Sequence, residues 1–369
     1  MLLKDISERR AVERLCSLLY SSGDVLRTPD DLLRTKREER QPGSGLHRIS
    51  RSLARSVRLG PGHDAAVVSP TAGHDLVLST DVQVAGTHFD LEVMGAEDAG
   101  LRAVLAAVSD LAPFGAVPQW LLLSVAADPE TELELLERLY RGLGRAANEI
   151  SLPFNVNDWN KLVFVGGDLV VTRGPLTIDV VVIGRRPNTW ATGGRDGARP
   201  GDVVYLSGPT GQAAGGWWHL THPDDDIAGS EKLRKAFLQP EIELQLGAAL
   251  WRDGLLTSAA DTSDSLTEQL EHLATASGVG LLIEAESLPL PAPLVNAAAA
   301  MGLEPLELAC GGGEDFRLLI TGPAGMERTE HRLTPIGRVV EPEEGLRLLG
   351  ADGLKRELPP PLFSHFSRD

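Results

Sequence analysis

Six short acidic motifs punctuate this chain of 369 residues. They are GHDAAV with Asp64, LSTDV with Ser79, Thr80 and Asp81, VSDLAPFGA with Asp110, VGGDL with Asp168, ADTSDS with Asp261, Ser263 and Asp264, and GGGEDF with Glu314 and Asp315. Each falls where an apolar run meets a turn. An unpaired buried carboxylate is costly, so core-forming segments normally avoid one. Repeated carboxylates flanked by Gly, Ser and Thr therefore point to a shared oxygen-rich site. Hard divalent cations such as Mg²⁺ take carboxylate and hydroxyl oxygens, and polyphosphates are the usual substrates they accompany. Each motif also has a plainer reading. Asx turns explain an Asp at a strand end, a tight turn explains GGD, a glycine hinge explains GGGED, and Asp264 suits the N-cap of the helix that follows. Capping accounts for one acid of ADTSDS, not for both together with Ser263. His88 follows Asp81 by seven residues, which puts it near any ligand bound there.

The elements that must position these residues read as α/β. A helix is expected from Ser7 to Leu19, followed by a polar, Arg-rich stretch to Arg58. AAVVS and DLVLSTDV read as strands, the second nearly continuous in apolar residues and so expected to be buried on both faces. Helices are expected over Ala96–Leu111 and Glu130–Asn148, the latter with Leu133, Leu136 and Leu139–Tyr140 as its apolar stripe. QWLLLSVAA, LVFVGGD and LTIDVVVIG read as strands. The turn-rich stretch 185–202 marks a boundary. Beyond it VVYLSG, GLLIEA, DFRLLIT and PIGRVV read as strands, and Gly211–Leu220, Glu241–Trp251 and Asp264–Ala276 as helices. The domains expected are 1–58 (helix and Arg-rich arm), 59–190 and 191–369.

Bulk properties narrow the classes. Hydrophobic residues make up 42% and aromatic ones only 5%, so Val, Leu and Ala must fill the cores. A formal net charge of −17 argues against nucleic acid as a partner. Cys16 and Cys310 are the only cysteines, with no metal-ligand spacing, so a reduced, cytoplasmic setting is expected. The charged start MLLKDISERR is unlike a signal peptide, and no apolar run approaches a membrane span.

In order along the chain, STDVQVAGTHF (79–89), AVSDLAPFGAVPQW (107–120), GGD (166–168), GRDGARPGD (194–202), DTSD (261–264), GGGEDF (311–316) and LFSHF (362–366) resemble the thiamine-monophosphate kinase family. That family belongs to the superfamily of aminoimidazole ribonucleotide synthetase, selenophosphate synthetase and a hydrogenase maturation factor. The resemblance implies two α/β domains of the aminoimidazole ribonucleotide synthetase type. It also implies a homodimer whose N-terminal domains pair through a β-barrel, and ATP-dependent phosphorylation of thiamine monophosphate to the diphosphate with several Mg²⁺ ions. It implies cation ligation by Asp64, Ser79, Thr80, Asp81, Asp110, Asp168, Asp261 and Asp264. ATP contacts would come from Tyr140, Gly167, Asp168, Arg195 and Ser263. His88, Glu314 and Phe363 would contact the thiamine phosphate, a carboxylate and an aromatic face both suiting a cationic ring. Asp81, Asp110 and Arg195 would act in catalysis. The chain departs from the family pattern at His63, where an acid is usual, and at Ser265, where glycine is usual. It also carries a longer N-terminal region and an insertion over 151–162. The alternatives are another enzyme of the superfamily, or a nucleotide-binding sensor without turnover. Cys16 in RLCSLL reads as core, not as the reactive cysteine expected of selenophosphate synthetase, and the closing SRD is unlike the cysteine-bearing tail of the hydrogenase factor.

Overall fold

The computed structural model describes residues 1–19, 57–59, 65–151, 162–191 and 193–363. The Arg-rich stretch before residue 57, His63, Asp64, nearly all of the 151–162 insertion and the closing SHF of LFSHF lie outside the described residues. Two compact units emerge, 1–108 with 117–187, and 109–116 with 188–369. The segment Ser109–Ala116 thus falls inside the 59–190 span of the sequence but packs with the second unit.

In the first unit, α1 (Glu8–Leu19) is followed by the short paired strands β1 (Val57–Leu59) and β2 (Val67–Val68). Then come β3 (His74–Val84), α2 (Ala96–Ser109), β4 (Val117–Ala127), α3 (Leu133–Ser151), β5 (Val163–Val171) and β6 (Thr177–Pro187). The four long strands form a sheet in the order β3-β6-β4-β5, with only β4 and β5 parallel. Val180 and Val182 of β6 are fully buried, as are Leu136, Leu139 and Leu143 of α3. Helices α2 and α3 cross with their backbones in contact: a Cβ on Gly142 would sit 1.9 Å from the Glu97 carbonyl oxygen, and one on Gly100 2.1 Å from that of Leu139. The expectation that β3 is buried on both faces is corrected. Leu76, Leu78 and Val82, on one face, are 41%, 63% and 46% exposed. The reason is that β3 belongs to a mainly antiparallel sheet, which can leave one face open, and among the described residues that face of β3 stays uncovered.

The second unit runs β7 (Val203–Leu206), α4 (Gln212–Thr221), α5 (Ser230–Leu238), α6 (Leu244–Arg252), β8 (Ser258–Asp261), α7 (Leu266–Ser277), β9 (Gly280–Glu284), α8 (Ala292–Met301), α9 (Pro305–Gly311), β10 (Leu318–Gly322), β11 (Thr334–Val340), β12 (Leu346–Leu349) and β13 (Lys355–Arg356). Its seven-stranded sheet has the order β13-β12-β9-β11-β7-β10-β8. Leu206, Leu270, Leu273, Leu281, Ile283, Leu319 and Ile336 pack one core; Leu233, Leu294, Ala297 and Leu308 pack another. Helices α5, α8 and α9 were not expected from the sequence. For α8 the signals were present: Pro293 lies in the first turn and Gly302, at φ 70°, closes the helix, proline just inside the start and glycine just past the end being typical of helix ends.

Candidate functional site

In the first unit the strand β3 sorts its own motif by alternation. Ser79 and Asp81 face one side and Thr80 the other, so the three side chains of LSTDV do not form one cluster. Asp81 accepts a hydrogen bond from Gln83 Nε2 at 2.7 Å, on the same side of the strand. Thr80 instead donates to Asp179 of β6 at 2.7 Å. In the turn after β3, His88 Nδ1 accepts the Val84 backbone N–H at 3.1 Å. An accepting Nδ1 places the proton of the neutral ring on Nε2, leaving that atom a donor. Asp168, exposed on β5, accepts from the Leu169 N–H at 2.9 Å. Gly167 has a structural duty, since a Cβ there would meet the Leu123 carbonyl oxygen at 1.9 Å; any side chain would prise β5 from β4. Tyr140 lies in the core, 4% exposed, and burial pushes its phenol up.

The second unit gathers more of the expected residues. The turn 109–116 is clamped to α6: Trp251 Nε1 donates to the Pro113 carbonyl at 2.6 Å, and a Cβ on Gly247 would lie 1.9 Å from the Ala112 carbonyl oxygen. This holds Ser109 and Asp110 against the end of β8. There Ser109 Oγ donates to Asp261 Oδ2 at 2.7 Å, a bond buried at both ends. Asp261 is 3% exposed. Burial, then the neighbouring Asp110 carboxylate, push its carboxyl up to about 7, against the pull of the Ser109 hydrogen bond and the Arg195 guanidinium.

Beside this pair two loops are zipped together. Glu314 N–H donates to the Ser263 carbonyl at 2.8 Å, and the N–H groups of Asp315 and Phe316 both donate to the Thr262 carbonyl at 3.1 Å. Glu314 and Phe316 are held at φ 59° and 52°, a left-handed conformation that non-glycine residues rarely adopt and that concentrates at functional sites. Asp315 between them is a structural acid. It is fully buried and accepts the Gly211 and Ala213 N–H groups at the start of α4, the place where a carboxylate is favoured. Burial nonetheless lifts its carboxyl to about 6. Asp264 is not the N-cap of α7, as its position suggested. Ser265 is: its Oγ accepts the Glu268 N–H at 3.2 Å, and Glu268 reaches back in a capping box. Asp264 is thereby left exposed and available as a ligand. The residue that departs from the family glycine is thus a good cap.

The loop carrying Arg195 is pinned between β8 and α7. Ala259 N–H donates to the Gly194 carbonyl at 2.9 Å, Ser277 Oγ to that of Arg195 at 2.6 Å, and a Cβ on Gly197 would lie 2.0 Å from the Thr257 carbonyl oxygen. The C-terminal segment is tied to α7 and to the end of α9: Thr267 Oγ1 donates to the Pro359 carbonyl at 2.7 Å and Leu362 N–H to that of Gly311 at 2.9 Å. Phe363, 54% exposed, follows directly, so its backbone lies next in sequence to the residue bonded to Gly311. Ser109 and Gln269 were not singled out as site residues, and Asp315 was named only with its motif. Ser109 adjoins Asp110 in sequence, and Gln269 falls on the apolar stripe of α7 with Leu266, Leu270 and Leu273, where an amide is out of place.

Among the described residues no three acidic, His or Cys side chains converge tightly enough to hold a metal by themselves. The donors present fit Mg²⁺ in its usual manner, with one or two carboxylates supplied by protein and the remaining positions by phosphate and water. Asp261 is the clearest case, because a buried carboxylate next to another is relieved by a cation as it is by a proton.

Comparison with known proteins decides the family. Residues 62–186 match the AIR synthase related protein, N-terminal domain, and 199–345 the AIR synthase related protein, C-terminal domain. The thiamine-monophosphate kinase of Escherichia coli is 34% identical over 278 residues, 74% of this chain and 79% of that one. That of Aquifex aeolicus is 32% identical over 76% of this chain and 87% of that one. The chain belongs to the thiamine-monophosphate kinase family. A solved structure, AaThiL complexed with AMPPCP and TMP, superposes with a TM-score of 0.69 at 32% identity, covering 80% of this chain and 89% of that one. The two-domain, mixed α/β architecture expected from the motifs is therefore the architecture of the family.

Proposed function

We propose that this protein transfers the γ-phosphoryl group of ATP to the phosphate of thiamine monophosphate, giving thiamine diphosphate and ADP. The observation that carries the reading is the buried Asp261 carboxyl, held by Ser109 and raised to about 7 beside Asp110, in a chain of this family. The relative whose structure was solved with AMPPCP and TMP supports the substrate pair. Mg²⁺ when bound would neutralise phosphate charge. Asp81, Asp110, Asp168, Asp261 and Asp264, with Ser79 and Asp64, would share the holding of several such ions, one or two carboxylates to each. Thr80, whose hydroxyl is engaged with Asp179 on the opposite face of the strand, would not join them through that hydroxyl. Arg195 would supply fixed positive charge to the nucleotide phosphates, with Ser263 and Gly167 lending polar groups and close backbone approach. Tyr140, with so little of its ring exposed, would reach ATP only with its hydroxyl.

The acceptor is already an anionic phosphate oxygen at neutral pH, so no strong general base is needed and alignment with charge neutralisation does the work. His88 would donate from Nε2 to the acceptor phosphate. Glu314 and the exposed ring of Phe363 would face the cationic thiazolium. A selenophosphate-synthetase type of reaction would need an activated thiol; burial pushes the Cys16 thiol up to about 11, the reverse of activation.

We also propose a homodimer formed through the open face of the first-unit sheet. The exposed Leu76, Leu78 and Val82 form an apolar stripe on an edge strand, the kind of surface that a second copy covers. No described helix is long and apolar enough to cross a membrane, in keeping with action on small polar substrates in the cytoplasm. The test is ADP release with thiamine monophosphate, thiamine or an aminoimidazole ribonucleotide precursor as acceptor. Release with thiamine monophosphate alone is expected. Nucleotide binding with no ADP release from any acceptor would support the sensor instead.

A further inference from the structure

Gln269 sits on α7, 0% exposed, with both ends of its amide spent on charged side chains. Its Oε1 accepts from Arg195 Nη2 at 3.1 Å, and its Nε2 donates to Asp264 Oδ2 at 3.0 Å. The orientation is fixed by the partners: a guanidinium only donates and a carboxylate only accepts, so the flipped amide would oppose like groups at both ends. Leu266, Leu270 and Leu273 surround this position in sequence and are buried in the core. An aliphatic side chain of similar size would pack there without the desolvation cost of an amide. What the amide gains is control of two exposed charges.

The backbones carrying those charges are held by other bonds. The Arg195 loop is tied down through Gly194, Gly197 and Ser277, and the Asp264 loop through Ser263, Glu314 and the Ser265 cap. Gln269 therefore sets the two side chains and not the loops. A direct Arg195–Asp264 ion pair would quench both charges. A neutral amide holds them at a fixed spacing with both charges intact, one positive for an anion and one negative for a cation.

We propose that Gln269 is a positioning residue that aims Arg195 at nucleotide phosphate and Asp264 at the cation. It thereby links the affinity for nucleotide to that for Mg²⁺. The inference rests on the reading of Arg195 and Asp264 as ligand-binding groups. In Gln269→Met, which keeps the volume and loses both hydrogen bonds, the KM for ATP should rise about tenfold, the scale of a hydrogen bond to a charged group. The Mg²⁺ midpoint should rise with it, while kcat changes less than about threefold and the melting temperature holds. Gln269→Glu keeps the bond to Arg195 but sets a carboxylate against Asp264. It should spare nucleotide affinity more than the Met variant while shifting the Mg²⁺ midpoint, and it serves if the Met variant folds poorly.

The deciding control is Arg195→Ala, studied both by turnover and by direct binding of Mg²⁺ with the non-hydrolysable ATP analogue. Gln269→Met should add little to the loss of nucleotide affinity already present in Arg195→Ala, because that part of its effect runs through the Arg195 side chain, while its shift of the Mg²⁺ midpoint through Asp264 persists. A full loss in Arg195→Ala with no change in Gln269→Met overturns this inference alone. Additive losses of nucleotide affinity also overturn it. Unchanged nucleotide binding in Arg195→Ala overturns the reading of the site and this inference with it.

Discussion

Asp261 carries a stability cost that should be measurable without any substrate. Its carboxyl moves from an ordinary 3.8 to about 7 in the folded protein. Between those values the folded state holds a proton that the unfolded chain has released, so stability falls as pH rises through the window. At about 1.4 kcal/mol per pH unit, the full span amounts to at most about 4 kcal/mol lost between pH 4 and pH 7. The group is fully buried, so solvent screening does little to reduce this. Asp261→Asn mimics the protonated carboxyl and can still accept the Ser109 hydroxyl. In metal-free protein it should match the wild type near pH 4 and exceed it by roughly 2–4 kcal/mol at pH 8. Hydrogen exchange of peptides spanning β8 and α7 reads this unit by itself, and comparing the variant with the wild type at each pH cancels the intrinsic pH dependence of exchange. Saturating Mg²⁺ should close the gap at high pH, because a cation replaces the proton as the partner of the charged carboxylate. Asp110→Asn should shrink the gap, since it removes the second cause of the shift. A variant-to-wild-type difference that is flat from pH 4 to pH 8 would refute the reasoning.

Three further outcomes follow from particular contacts. Ser265→Ala should cost about 1 kcal/mol of stability through loss of the α7 cap, whereas Ser265→Gly should cost only a few tenths; chemical denaturation of both variants would show whether the cap is worth this. Gly167→Ala should lower the melting temperature by several degrees and depress activity in parallel, because its Cβ would collide with the Leu123 carbonyl oxygen at 1.9 Å; an unaffected variant would mean that β4 and β5 separate at little cost. Leu78→Asp, on the 63% exposed position of β3, should convert a dimer to a monomer in sedimentation, and a dimer that persists would remove this face from the interface.

Much of the fold was legible because its signals were strong and local. The amphipathic stripe of α3 and the long apolar runs of β4 and β6 left little choice of element. Of the acidic motifs, those of Asp110, Asp261 and Glu314 meet within the second unit, Asp110 beside Asp261 and Glu314 bonded to the Ser263 carbonyl. What was hidden depended on neighbours distant in sequence. The apolar run in β3 reads as doubly buried, yet nothing in a run of residues says that one face of the sheet stays open. Ser265 and Asp264 are both good caps by type, and only the geometry of the turn selects Ser265. Asp315 looks no different from Glu314 in GGGEDF, but the start of α4 claims it as a structural acid. Gln269 makes sense only once Arg195, from a loop 74 residues away, lies beside it. Helices α8 and α9 are short and rich in small residues, so their periodicity is weak and their boundaries rest on caps; α5 has only nine residues, with Leu233, Phe237 and Leu238 as its buried side.

The most direct test of the account is the Mg²⁺ dependence of thiamine monophosphate-stimulated ADP release in Asp81→Asn and Asp110→Asn. Loss of a principal electrostatic stabiliser costs roughly 3–4 kcal/mol of barrier, about a hundredfold or more in rate. The account predicts that loss at limiting Mg²⁺, with partial recovery as Mg²⁺ is raised and the folded state intact. Full activity of both variants at limiting Mg²⁺ would contradict it.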